Sequence, residues 1–175
     1  MSIEKTIYFA CDGFGETLKE AVKTHVESSN GGRQKVKIVD FGSDTYYDAA
    51  AAVGKALAKS ENKNDMGVLV CGTGMGVGIM ANKFPDVRAA TCENLMAVRC
   101  SRAVNDSNVL CLGQLVTTPE DAKAMADEFL FKQDFISHPK GDDGKPLPWW
   151  NKDVETFLKT SKAGMKKVEM EAKNL

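Results

Sequence analysis

Apolar residues along this chain fall into two alternating patterns. Short β-rich runs recur at TIYFAC (Thr6 to Cys11), VKIVDF (Val36 to Phe41), MGVLVC (Met66 to Cys71), VRAATC (Val87 to Cys92) and NVLCLG (Asn108 to Gly113). They are mostly continuous rather than alternating, as in strands buried on both faces of a sheet. Between them lie longer stretches with helical spacing, near Gly15 to Ser28, Tyr46 to Ser60, Gly76 to Lys83, Leu95 to Val104 and Pro119 to Phe131. Pro119 suits a first helical turn, where a missing N–H costs nothing. Strands separated by helices are βαβ units, so the pattern predicts an α/β fold: a five-stranded parallel sheet as the middle of three layers.

Beyond these elements the pattern changes. Residues 132–150 include HPKGDDGKPLPWW, with three of the chain's five prolines, and are expected to form an extended loop. Residues 151–175 are expected to form a C-terminal helix and tail. Asn151 can cap that helix, Asp153 and Glu155 suit its first turn, and Val154, Phe157 and Leu158 give it a buried stripe. Trp149 and Trp150 are expected to anchor the loop to the core, the alternative being a platform on which a ligand stacks. From Thr160 onward the chain is lysine-rich and weakly periodic, which predicts a fraying solvated helix or a flexible end. With no repeat and no low-complexity linker, 175 residues are read as one domain.

Charge and composition narrow the function classes. A formal net charge of -1, from 23 basic and 24 acidic residues, offers no footprint for nucleic acid or an anionic membrane surface. No apolar run reaches the roughly 18 to 20 residues of a membrane span, and the opening MSIEKTIYFACDGFG lacks the features of a secretory signal, so a cytoplasmic protein is expected. The five cysteines include no CxxC pair, which fits reduced thiols better than a disulfide framework. The only histidines, His25 and His138, stand far from any ligand-spaced cysteine pair, so no metal and no cofactor are expected.

The candidate chemistry lies in CGTGMGVGIMANK, Cys71 to Lys83. Neither nucleotide loop fits: Val77 stands where GxGxxG needs its third glycine, and Walker A would need GK[ST]. What remains is a turn after a strand, where successive unhindered amides from Thr73 to Val77 can converge on an anionic oxygen. The alternative is that the glycines only let helix and strand pack closely. Cys71 opens this turn, and a helix N-terminus favours a thiolate, which could act as a base. Cys100 and Cys111 read as small buried hydrophobes, while Cys92 is open between the two roles. Cys11 and Asp12 end the first strand on the same edge, so Asp12 can hold substrate hydroxyls or cap the next helix.

The run CGTGMGVGIMANKFPDVRAATC, with ACDGFG near the start and SRAVNDSNVLCLG further on, resembles the type B ribose-5-phosphate isomerases and the related galactose-6-phosphate isomerases. The resemblance spans roughly residues 5 to 131. The tail with its PWW looks more like a branch found in plant proteins named for DNA-damage toleration. The resemblance implies a Rossmann-like sheet, a homodimer with active sites at its interface, and metal-free isomerisation of a small phosphorylated sugar, ribose 5-phosphate to ribulose 5-phosphate as the default. Cys71 then matches the base moving a proton between C1 and C2. Gly72, Gly74, Met75 and Gly76 match the loop holding the oxyanion, and Thr73 a hydroxyl that shuttles protons between the oxygens. Asp12 matches an acid that binds sugar hydroxyls, and Asn105 an asparagine contributed across the interface.

The departures are as specific as the matches. Gly13 and Val104 stand where the family usually has histidines, the second of which opens the furanose ring. Leu115 stands where an arginine is usual, and the C-terminal arginines that grip phosphate are missing. Lys140, Lys145, His138, Arg99 and Arg102 are the remaining candidates for that grip, each with a surface charge as its alternative. Two readings beside the isomerase stay open: an altered or inactive homologue that binds a phosphosugar or a protein, and an isomerase of acyclic tetrose phosphates. A thiol redox sensor has less support, since no resolving cysteine lies nearby in sequence.

Overall fold

The computed structural model describes residues 5–29 and 36–172. Its strands are β1 (Lys5–Cys11), β2 (Val36–Ser43), β3 (Met66–Cys71), β4 (Ala89–Thr91) and β5 (Val109–Gly113). All pair in parallel, in the order β2-β1-β3-β5-β4. The helices are α1 (Glu16–Ser29), α2 (Tyr46–Lys59), α3 (Met75–Ala81), α4 (Leu95–Asn105), α5 (Pro119–Asp127) and α6 (Lys152–Ala172). The expected α/β architecture with five parallel strands is therefore what the chain forms.

Alternation along the central strands divides the core in two, because successive side chains point to opposite faces. Ile7, Phe9, Val68, Val70, Leu110 and Leu112 face one way and pack with Leu18, Val22, Met125 and Phe129 of the α1 and α5 side. Ala10, Leu69, Cys71, Val109 and Cys111 face the other and pack with Ala49, Ala50, Val53 and Val77 of α2 and α3. Both faces are buried, as the continuous apolar runs of β3 and β5 require.

Capping follows the sequence signals. Thr45 and Thr118 accept from the amides of Asp48 and Asp121, each at 3.2 Å, starting α2 and α5. Asn151 Oδ1 accepts from Asp153 and Val154 at 2.9 and 3.1 Å, starting α6 as expected. Several boundaries differ. β4 is only three residues long, because Arg88 ahead of it is turned into bonds with Asp106 and Asn108. The fifth helix loosens into a π-helical turn over Glu128–Lys132, closed by Gln133 N–H on the Glu128 carbonyl at 3.0 Å.

The C-terminal region departs most from expectation. α6 runs unbroken to Ala172, because Lys162 pairs with Asp106 at 2.5 Å and Lys166 with Asp86 at 2.8 Å, tying it to the body. The last three residues of the expected tail lie outside the described residues. Trp150 is an anchor, 8% exposed and packed with Ala103 and Leu158, and its indole N–H donates to Glu155 at 3.1 Å. Trp149 is not: it stays 44% exposed, its ring 5.7 Å from that of Trp150. Among the described residues no helix is long and apolar enough to cross a membrane.

Candidate active site

The chain leaves β1 for β2 on one side and later returns to β3 on the other, so the carboxyl ends of β1 and β3 form the switch point where open parallel sheets bind ligands. Cys71 ends β3 and Asp12 follows β1, and the Asp12 amide donates to the Val70 carbonyl at 3.1 Å. Gly15 presses the α1 start onto this point. A Cβ there would stand 2.6 Å from the Val70 carbonyl carbon, so only glycine fits.

Cys71 is 5% exposed, at the carboxyl edge on the α2 and α3 side of the sheet. The Gly74 amide donates to its sulfur at 3.1 Å. Gly74 reaches that position with a φ of 79°, left-handed backbone that glycine adopts without strain. The expected nest of amides is thus partly used within the turn, since Gly74 N–H is turned to sulfur and Met75 N–H approaches Thr73 Oγ1 at 3.4 Å. The remaining first-turn amides of α3 have no intrahelical acceptor, as at any helix start. The Thr73 side chain is exposed beside them.

Of the two roles the sequence left open for Asp12, the helix cap is the one the fold displays. The Asp12 Oδ1 accepts from the amides of Phe14 and Gly15, both at 3.0 Å, and so caps α1. The same carboxylate also lines a cavity of about 490 Å³ with Phe14, Asp44, Thr45, Tyr46 and Tyr47. The Tyr46 ring links this cavity to the cysteine turn, reaching within 3.0 Å of where a Cβ on Gly76 would sit. On the other flank Leu115 is held over the turn by its amide on the Gly72 carbonyl at 2.9 Å, its side chain 72% exposed. Sequence reading missed the Asp44 to Tyr47 wall. The signal was available: it is the loop after the strand next to the switch point.

Asn105 is not brought to Cys71 within one chain. It ends α4, which runs from the carboxyl edge back to the amino edge, whereas Cys71 pairs with Gly113 at the carboxyl edge. Asn105 instead borders a groove against α6, beside Val104, Phe157 and Leu158. Most cations considered for phosphate are engaged elsewhere. Arg99 pairs with Glu128 at 3.3 Å and Asp142 at 2.9 Å. Arg102 is buried, bonded to Asp106, the Ser107 carbonyl and the Gln133 carbonyl, with Phe129 beneath it. His138 meets Glu155 at 2.7 Å and Lys145 meets Asp143 at 3.5 Å. Of the cysteines beyond Cys71, burial raises the thiol pKa of Cys11, Cys100 and Cys111 and brings that of Cys92 to about 11.

The profile of the Ribose/Galactose Isomerase family matches residues 7–140. The chain belongs to that family. It is 37% identical over 134 residues to the ribose-5-phosphate isomerase B of Escherichia coli, covering 74% of this chain and 85% of that one. It is also 33% identical over 162 residues to a DNA damage-repair/toleration protein of Arabidopsis thaliana, covering 93% of this chain but only 49% of that protein, so it spans about half of that relative. Among solved structures, the ribose-5-phosphate isomerase B of Clostridium thermocellum superposes with a TM-score of 0.74 at 27% identity, covering 95% of this chain and 99% of the other. The Rossmann-like fold expected from the resemblance is thus shared with this family.

Proposed function

We propose that this protein interconverts an aldose and a ketose through an enediolate, with Cys71 as the base that moves the carbon-bound proton. The observation that carries the reading is the Gly74 amide aimed at the Cys71 sulfur at the switch point, where Asp12 on the neighbouring strand end lines a cavity of about 490 Å³. That contact gives the sulfur a backbone donor at 3.1 Å, and hydrogen bonds to an ionised acceptor are the stronger ones.

The thiolate takes the proton from C2 of the open-chain aldose. The released electron pair becomes the C1–C2 double bond, and the carbonyl electrons move onto O1. With the Gly74 amide on sulfur and that of Met75 near Thr73 Oγ1, the remaining amides at the start of α3, Gly76 among them, stabilise that oxygen as its charge develops. Thr73 carries a proton between O1 and O2, and the thiol returns its proton to C1 to give the ketose. Asp12 accepts hydrogen bonds from sugar hydroxyls. No step requires a metal or cofactor. Asn105 enters the site of a second copy, making the working unit a homodimer. Neither nucleic acid nor membrane has a part in this reading, which places the enzyme in the cytoplasm and in pentose phosphate metabolism, the family default.

Val104 favours four-carbon sugars as a second reading of the substrate. It packs among Trp150 and Leu158 and has no proton to exchange, so a furanose would open without its help. The test is deuterium uptake from heavy water into ribose 5-phosphate, erythrose 4-phosphate and neutral D-erythrulose. Uptake above the buffer rate in at least one sugar is expected; none in any of them would end the isomerase reading.

A further inference from the structure

We propose that Asp106 is the positioning residue for Asn105: it gathers Arg88, Arg102 and Lys162 onto the end of α4 and so holds the Asn105 side chain outward for the site of a second copy. This rests on the isomerase and homodimer reading and adds the group that orients Asn105.

The backbone is the first ground. Asp106 closes α4 with a φ of 50° and a ψ of 41°, and its amide donates to the Arg102 carbonyl at 3.1 Å. Glycine or asparagine is the usual choice for such a left-handed cap, so the cap alone does not call for a carboxylate.

The charges around it do. Asp106 Oδ1 takes Arg102 at 3.3 Å, Oδ2 takes Arg88 at 3.1 Å and Lys162 at 2.5 Å, and the Asp106 carbonyl accepts from Arg88 Nε at 2.7 Å. These cations come from the approach to β4, from α4 itself and from α6. The Asp106 side chain is only 14% exposed, so salt and water screen the pairs less than at an open surface. Lys162 also stands 5.1 Å from the centre of the Phe135 ring, and it lies beyond residues 7–140, on a helix that the family profile does not reach.

Asn105 is thereby fixed from both sides. Before it, Val104 packs with Trp150 and Leu158; after it, Asp106 is clamped. Asn105 itself is exposed, and among the described residues its side chain has no hydrogen-bond partner. A free carboxamide on a backbone held at both ends loses little entropy when it meets a ligand, and displacing such a group by about 1 Å costs about a hundredfold in rate.

Asp106→Asn keeps the shape and the left-handed preference and removes the charge. Deuterium uptake into whichever of ribose 5-phosphate and erythrose 4-phosphate the native protein exchanges faster should fall about 10- to 100-fold. Mixed dimers of Asp106→Asn with Cys71→Ala separate positioning from mere stability. Their one complete site joins Cys71 of the first chain to Asn105 of the second, which keeps its Asp106. Activity well above either parent is expected. If Asp106 only stabilised its own chain, the defect would travel with that chain's Cys71, so absence of recovery overturns the proposal. Undiminished exchange in Asp106→Asn also overturns it. Should that variant fail to fold, Lys162→Met removes one cation at similar length and is read in the same way. Backbone 15N relaxation at Asn105 needs no turnover. Its order parameter is expected near 0.85 in the native protein, falling towards about 0.6 in both variants. Equal rigidity in all three overturns the proposal and leaves isomerisation untouched. Lost rigidity supports it even if the native protein exchanges neither sugar, in which case the isomerase reading alone falls.

Discussion

The Gly74 amide donates to the Cys71 sulfur at 3.1 Å, three residues along the chain, and the left-handed backbone at Gly74 then turns the chain into α3. A buried amide at a helix start needs an acceptor, and here the acceptor is the sulfur of the proposed base.

Replacing Cys71 by alanine should lower deuterium exchange by about a thousandfold, within the range of general base catalysis, while thermal unfolding shifts little. Iodoacetamide should label Cys71 ahead of Cys100 and Cys111, whose thiols burial holds in the protonated form, and substrate should slow that labelling. Full activity in Cys71→Ala, or the opposite labelling order, would count against the assignment.

Because α4 carries Asn105 to the far edge of its own sheet, the proposed role of Asn105 in the site calls for a second copy of the chain. Sedimentation should give about twice the 19.0 kDa chain mass. Mixed dimers of Cys71→Ala with Asn105→Ala should regain activity that each parent lacks, since one of their two sites is intact. A fully active monomer would refute the shared site.

If Val104 removed assistance to ring opening, Val104→His should lower the kcat/KM ratio of erythrose 4-phosphate over ribose 5-phosphate. Weak phosphate binding would raise KM for both and leave their ratio alone. A ratio that stays level or rises means that ring opening is not what this position gave up.

Arg102 is structural, so Arg102→Ala should destabilise the fold by about 1 to 3 kcal/mol in urea unfolding, the cost of leaving the Ser107 and Gln133 carbonyls without their donor while Asp106 keeps Arg88 and Lys162. A phosphate ligand would behave differently: KM would rise with stability unchanged.

Lys5 supplies a pH test. It is buried, donates to the Leu130 carbonyl and stands over the Phe131 ring; burial, helped by the Arg102 charge, lowers its pKa from 10.5 to about 8. The unfolded chain therefore binds more protons between those values, and stability attributable to this group rises with pH across that window, by roughly 3 kcal/mol at most. Unfolding free energies of the native protein and Lys5→Met should converge or cross in the native protein's favour from pH 8 to 10.5. A constant difference would show that Lys5 keeps its ordinary affinity for protons.

Much of the architecture was legible because it is local. Short continuous runs such as MGVLVC, bounded by turn residues and rich in valine, suit strands buried on both faces, and Thr118 with Pro119 or Asn151 with Asp153 carry their helix starts in adjacent residues. The strand end holding Cys71 and Asp12 was legible for the same reason, since strand boundaries and the rule for parallel sheets together name the edge. Lysine spacing after Thr160, by contrast, said nothing of Asp86 and Asp106, the distant carboxylates that hold α6 in place.

By itself, then, the sequence determined the strands, the caps, the cysteine turn and the edge on which chemistry could occur, all governed by neighbours a few residues apart. Only the tertiary structure decided which groups meet across long separations. It turned Arg99 and Arg102 into internal ion pairs, left Trp149 exposed where Trp150 is buried, and sent Asn105 to the opposite edge from Cys71. It also set Asp44 and Tyr46 beside Asp12. Such contacts follow from strand order and from competition among charges for partners, which no spacing along the chain encodes.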